Sequence, residues 1–248
     1  MSWKDAINRL LSPLGVRMVN VRWGPRGEWA PLARLAELGF NPAQIVDAGA
    51  FRGAWTRHCL QLFPRARYLL IDPLPENAQY LQRLCSEHAN CRFVHAGVSD
   101  AIGELTLFSD GMRSSFLRSD VFDQSNTVTV PVRTLDSFLD TPDLDPPQFL
   151  KADVQGYELR VLRGGQRCLA TTEVILLEVS FREAYVGNPL AHDVIAQLAE
   201  WGFAVFDICT YHVDARNGDL LQSDILFCRK GSPWLHYDGG TPMSPDAR

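Results

Sequence analysis

The 248 residues are 46% hydrophobic and 21% charged, with a formal net charge of −5 and a pI near 5.7. That length holds one substantial α/β domain rather than two, and the acidic balance argues against a nucleic-acid partner bound through phosphate neutralisation. The six cysteines are scattered without a C-x-x-C pair, so buried free thiols in a reducing compartment are expected and a zinc site is not.

Residues 1–43 read as an accessory segment, with helical periodicity over 3–11, a short strand over 16–21 and a second helix over 31–38 before Asn41-Pro42. The opening MSWKDAINRLLSPLG is too polar for a signal peptide or a membrane span, so a cytoplasmic location is expected. The stretch QIVDAGAFRGAWTRHCLQLFPRARYLLIDP (44–73) is the centre of the chain. Ile45-Val46 is a short apolar strand stopping at Asp47. Gly49 and Gly53 bracket a sharp turn that a ligand can approach closely. Trp55, Cys59, Leu62 and Phe63 recur at helical spacing, predicting a helix from near Arg52. Residues 68–71 are an unbroken apolar run, as in a strand covered on both faces, and end at Asp72. A nucleotide across two such strand ends meets the glycine turn at one end and a ribose-binding acid at the other.

The turn has only two glycines and an acid at its head, unlike the G-x-G-x-x-G of a dinucleotide site. Asp47 would repel a pyrophosphate but suits a ligand carrying an ammonium and a sulfonium, which is S-adenosylmethionine.

Beyond Asp72, residues 76–85 read as a helix with Tyr80, Leu81 and Leu84 inward, and 91–95 (CRFVH) as the third strand. The loop 96–100, including Gly97, Val98 and Asp100, lies at the carboxyl edge where an adenine can be held. Residues 103–108 and 127–132 alternate as half-exposed strands, and the polar stretch 109–126 between them reads as a substrate-facing lid, with plain disorder as its rival. A short helix over 134–139, a strand over 148–153 stopping at Asp153, a helix over 156–162 ended by Gly164-Gly165, and a strand over 173–179 follow. Residues 192–201 read as an amphipathic helix with Val194, Ile195, Leu198 and Trp201 inward. The strands 203–209 and 224–228 have no helical connection between them, so they should pair antiparallel. The fold expected is therefore α/β: a Rossmann-like, mostly parallel sheet with a terminal antiparallel hairpin and helices on both faces. Residues 231–248 read as a flexible tail.

Several motifs together resemble one family, the FkbM-type S-adenosylmethionine-dependent methyltransferases. They are VDAGAFRGAWT (46–56), Asp72-Pro73 with Pro75-Glu76-Asn77, AGVSDAIGELTLF (96–108), SSF (114–116), VRTLDSFL (132–139), LKADVQGYELRVLRGG (150–165), LLEVSF (176–181) and QSDILFCRK (222–230). The resemblance implies a class I methyltransferase domain over 44–230 and methyl transfer to a hydroxyl oxygen of a sugar, polyketide or other small natural product. Phe51 departs from the family's more frequent Asn and Asp72 from its Glu. The phenylalanine puts any polar contact from that turn in question.

Position and resemblance together assign Asp47 and Gly49 to the methionine end, Gly53 to the cofactor-binding turn, Asp72 to the ribose hydroxyls, and Val98 and Asp100 to the adenine. Asp153, at a strand end beside the donor, accepts from the ammonium or acts on the acceptor, and equally suits a helix N-cap. Lys151 shares its strand face and is one of three lysines among many arginines; it reads as a carboxylate's partner. Glu178 interrupts an apolar run, so it belongs to the site or to a buried ion pair. Among the histidines His192 is the first candidate for a general base, with an exposed helix-start histidine the reading placed ahead of that role; His95 and His212 rank lower. No ligand-spacing motif asks for a metal. The alternatives are a nitrogen- or carbon-directed methyltransferase and a non-catalytic binding module.

Overall fold

The computed structural model describes residues 29–142 and 144–236. The helix and strand expected over 3–11 and 16–21, and the tail beyond residue 236, lie outside them.

Helix α1 (Ala30–Glu37) precedes β1 (Gln44–Ala48), α2 (Ala54–Leu62), β2 (Arg67–Asp72), α3 (Pro75–Glu87) and β3 (Cys91–His95). The short β4 (Gly97–Val98) leads to β5 (Gly103–Phe108), β6 (Thr127–Arg133) and α4 (Leu135–Phe138). Strand β7 (Phe149–Ala152), helices α5 (Glu158–Arg163) and α6 (Gln166–Thr171), β8 (Val174–Ser180) and α7 (Ala191–Glu200) complete the parallel part. Strands β9 (Phe203–Ile208), β10 (His212–Val213) and β11 (Leu220–Arg229) close the chain.

The main sheet runs β10-β11-β8-β7-β1-β2-β3, with β9 also paired to β11. Strands β3, β2, β1, β7 and β8 are parallel, and β11 runs antiparallel to β8, β9 and β10. The terminal antiparallel pair expected from the sequence is therefore present. Strand order reverses at β1, which lies between β2 and β7, and such a switch point opens a crevice at the strands' carboxyl ends.

Side chains alternate between faces along a strand. Val46, Leu69, Leu150 and Ile175 point into one core with α5, α6 and α7, whereas Ile45, Tyr68, Leu70, Phe149 and Leu176 join α1, α2 and α3 on the other face. On the second face Phe40, Trp55 and Phe63 surround Phe149 edge-on at 5.6 to 6.4 Å between ring centres, a preferred aromatic geometry. Trp234, in a 3-10 turn over Pro233–Leu235, packs edge-on against Phe40 at 5.1 Å, so the first residues of the expected tail are docked. Five of the six cysteines are buried. Among the described residues no helix is long and apolar enough to cross a membrane.

Two local expectations change. Helix α2 starts at Ala54 because its N-cap, Gly53, is left-handed (φ 77°). Tyr80 and Ile195 face solvent, leaving Leu81, Leu84, Val194 and Leu198 as the inner faces. The 109–126 segment is folded. Ser115 pairs with Phe108, and Ser119 Oγ donates to the Ala184 carbonyl at 2.6 Å. Strands β4, β6 and β5 form a separate three-stranded sheet beneath it.

Phe149 is fully buried, so Phe149→Ala is expected to cost about 3–5 kcal/mol in urea unfolding. A loss below about 1 kcal/mol would mean that the aromatic layer is not close-packed.

Candidate active site

The turn after β1 is shaped by three residues with positive φ: Gly49 (75°), Phe51 (48°) and Gly53 (77°). A Cβ on Gly49 would lie 1.9 Å from the Asp153 carbonyl oxygen, so only glycine lets the β1 and β7 ends close up. Phe51 sits in a left-handed conformation that asparagine tolerates better than most residues. Its polar contact comes from the backbone: Phe51 N–H donates to Asp72 Oδ2 at 2.8 Å. Gly53 does not line the cavity. A Cβ there would meet Leu84 Cδ2 at 2.7 Å, so it lets α2 pack on α3 and its expected ligand contact is withdrawn.

Asp72 Oδ1 accepts from Leu74 N–H and Asn77 Nδ2, each at 3.0 Å. Burial raises its pKa, against the pull of those three donors. Three of an ionised carboxylate's four or so acceptor positions are thus filled, leaving room for a ligand hydroxyl.

Register gathers the other charges. Asp47 is the partner of Lys151 across β1 and β7, Leu176 is the partner of Lys151 across β7 and β8, and Asp224 is the partner of Glu178 across β11 and β8. With alternation, Asp47, Lys151, Glu178 and Asp224 share one sheet face, and Asp153 follows at the end of β7. Lys151 Nζ donates to the Gly49 carbonyl at 2.9 Å and lies 3.1 Å from Asp47 and 3.5 Å from Asp153. Burial pulls its pKa down, but Asp47 and Asp153 outweigh that and hold it above the usual lysine value. Asp47, fully buried and bonded by Thr56 Oγ1 at 2.6 Å, stands behind Lys151. The direct ligand contact expected of it is replaced by an indirect role.

A cavity of about 390 Å³ opens over these strand ends. Pro73, Leu74, Val98, Leu107 and Phe116 make an apolar slot beside Asp72, and Asp153, Glu178, Asp224 and His212 line its polar part. Glu178 Oε2 accepts from Gln155 Nε2 and Gln222 Nε2, both at 2.8 Å. Burial raises its pKa well above the usual carboxylate value, reinforced by Asp153, Glu158 and Asp224 and opposed by Lys151. Glu158 lies under the same turn, its Oε1 accepting from Val154 and Gly156 N–H; burial lifts its pKa to about 7. Residues 111, 112 and 114–116 of the 109–126 loop form part of the wall.

Two further expected site residues lie elsewhere. Asp100 turns from the cavity to pair with Arg160 at 3.2 Å. His192 is 77% exposed in the first turn of α7, 3.4 Å from Asp193, so it is withdrawn as the base. Sequence reading passed over Thr210, Asp224 and Gln155, and ranked His212 too low. Their signal was the interruption of strand patterns by polar residues near Thr210 and Asp224. Among the described residues, no group of three or more His, Cys, Asp or Glu is arranged to hold a metal ion.

The cavity suits S-adenosylmethionine chemically. The apolar slot matches a flat adenine, Asp72 the ribose hydroxyls, and the carboxylates a sulfonium and an ammonium, while the close turn at Gly49 leaves backbone exposed to the ligand.

Residues 47–205 match the methyltransferase FkbM domain. The 2-O-methyltransferase NoeI of Sinorhizobium fredii is 26% identical over 160 residues, covering 58% of this chain. Methyltransferase 1 of Beauveria bassiana is 29% identical over 143 residues, covering 48% of this chain. The chain spans 66% and 57% of the lengths of these relatives. The crystal structure of methyltransferase FkbM from Methylobacillus flagellatus KT superposes with a TM-score of 0.51 at 16% identity, over 75% of this chain and 43% of that one. The fold is shared. The chain belongs to the FkbM family of methyltransferases.

Proposed function

We propose that this chain moves a methyl group from S-adenosylmethionine to a hydroxyl oxygen of a sugar or other small polyhydroxylated acceptor. The observation carrying this reading is the row of carboxylates, Asp153, Glu178 and Asp224, in the cavity that also contains the Asp72 slot. Hydroxyl groups donate well to carboxylates, and a carboxylate with a raised pKa is a competent proton acceptor at neutral pH. NoeI is named as a 2-O-methyltransferase, in keeping with an oxygen acceptor. The same row disfavours phosphate-bearing acceptors, because like charges in a shielded cavity repel strongly. Residues 44–230 are then the methyltransferase domain and 1–43 its accessory segment.

In this reading Asp72 holds the ribose hydroxyls, the Gly49 backbone meets the methionine end, and Val98 lies against the adenine. Asp153 accepts from the ammonium. Glu178 takes the acceptor's proton through Oε1, which has no protein donor among the described residues. The protein's contribution is alignment, exclusion of water and proton removal.

Transfer of labelled methyl from S-adenosylmethionine to a panel of neutral glycans and hydroxylated metabolites is expected to give alkali-stable methyl ethers. Methylamine products would move the reading to a nitrogen acceptor. Asp72→Asn is expected to weaken binding of S-adenosylhomocysteine, read by calorimetry, by about 10- to 100-fold, as for loss of a charged hydrogen-bond acceptor. An unchanged affinity would remove Asp72 from the ribose site.

Glu178 must be ionised to accept a proton, and burial with its acidic neighbours raises its pKa. Activity should therefore fall with decreasing pH at a value above the ordinary carboxylate range. Glu178→Gln is expected to abolish that acidic limb and lower kcat by roughly 10²–10⁴. Retention of the limb in this variant would assign the proton to another group.

A further inference from the structure

Gln155 occupies a left-handed backbone conformation that its residue type avoids, with φ at 54°. Such strain persists where surrounding contacts over-determine it. Gln155 Nε2 donates to Asp153 Oδ1 at 3.0 Å and to Glu178 Oε2 at 2.8 Å. On the other side, Gln155 Oε1 lies 2.9 Å from the Tyr185 hydroxyl, which is also 2.9 Å from the Arg113 carbonyl and shares one proton between the two acceptors. The Gln155 carbonyl accepts from Ser115 Oγ at 2.7 Å. Arg113 and Ser115 both belong to the 109–126 loop.

The amide has one workable orientation. Flipped, its oxygen would face two carboxylates and its NH₂ would lose both acceptors. Both amide protons are therefore committed to carboxyl oxygens, and the one donated to Glu178 favours the ionised form of that group.

We propose that Gln155 is a positioning residue: its amide fixes Asp153 and Glu178 relative to each other, and through Tyr185 fastens both to the 109–126 loop, setting the pH at which Glu178 accepts a proton. The proposal rests on the proposed function of Glu178 and names what regulates it. Glu178 is faced by Lys151 and Asp153 from the end of β7, Glu158 from α5, Asp224 from β11 and Tyr185 from the segment after β8. His212 lines the same cavity. Lys151 alone among them is a permanent cation, and it is shared with Asp47 and Asp153. Gln155, with Gln222, supplies the neutral donors to Glu178.

Gln155→Met keeps the length of the side chain and removes both donors. Tyr185→Phe keeps the donors and releases the amide's other end. The Glu178 titration is read in both by carbon NMR of glutamate-labelled protein, without acceptor or turnover, alongside S-adenosylhomocysteine affinity and the pH dependence of kcat. In Gln155→Met the Glu178 titration and the acidic limb are expected to move up together by about one pH unit, the scale of a lost carboxylate hydrogen bond. Tyr185→Phe should give a smaller move in the same direction. A folded Gln155→Met protein whose Glu178 titration does not move overturns the proposal. So does a loss of kcat that comes with equal loss of S-adenosylhomocysteine binding and an unmoved titration, the mark of a purely structural role. Failure of the wild type to bind S-adenosylhomocysteine would instead refute the proposed function, and the NMR titration would still decide the role of Gln155.

Discussion

The buried ammonium of Lys151 is the constraint on which the rest of the site depends. Four carboxylates share its sheet face or follow at that face's edge: Asp47, Asp153, Glu178 and Asp224. Its Nζ is within 3.5 Å of three oxygens, on Asp47, Gly49 and Asp153, and three acceptors match the three protons of an ammonium. Arginine's planar fork would not meet them, which explains a lysine at this position in an arginine-rich chain. Removing one partner of a buried ion pair strands the other and costs about 3–5 kcal/mol. Here it would also release the Gly49 carbonyl, on which the ligand turn depends.

Two unusual backbone segments face each other across that cation. One carries positive φ at Gly49, Phe51 and Gly53, the other at Gln155 and Gly156. The first turns the chain back so that Phe51 N–H reaches Asp72. The second is supported from beneath by Glu158, whose Oε1 takes the Val154 and Gly156 N–H groups. Both are tight because β1 and β7 are neighbours at the point where strand order reverses. The glycines thus set the depth of the cavity, and the charges between them set its chemistry.

Much of this was legible in the sequence because it is local. An apolar run ending in an acid, as at Ile71-Asp72, locates a strand end and its carboxylate. The absence of a helical pattern after residue 209 foretells an antiparallel pair. What was not legible depends on distant partners. Gly53 looks like a ligand glycine in its own turn, but Leu84 of α3 dictates it. Asp100 lies in the loop expected to hold the adenine, yet Arg160 of α5 draws it outward. His192 and His212 differ little in local context. His212 lines the cavity because β10 pairs with β11, whereas His192 sits on an exposed helix turn. Gln155 carried no signal beyond its motif, since its role arises from side chains that converge only in the fold.

The most direct test of the site is calorimetric titration of the wild-type chain with S-adenosylhomocysteine, with a nicotinamide dinucleotide titrated in parallel. The expected result is saturable one-to-one binding of S-adenosylhomocysteine in the micromolar range and none of the dinucleotide, whose pyrophosphate has no place beside Asp72 and the carboxylate row. Binding of the dinucleotide alone, or of neither ligand by folded protein, would contradict the cofactor, the direction of the cavity and the roles assigned within it.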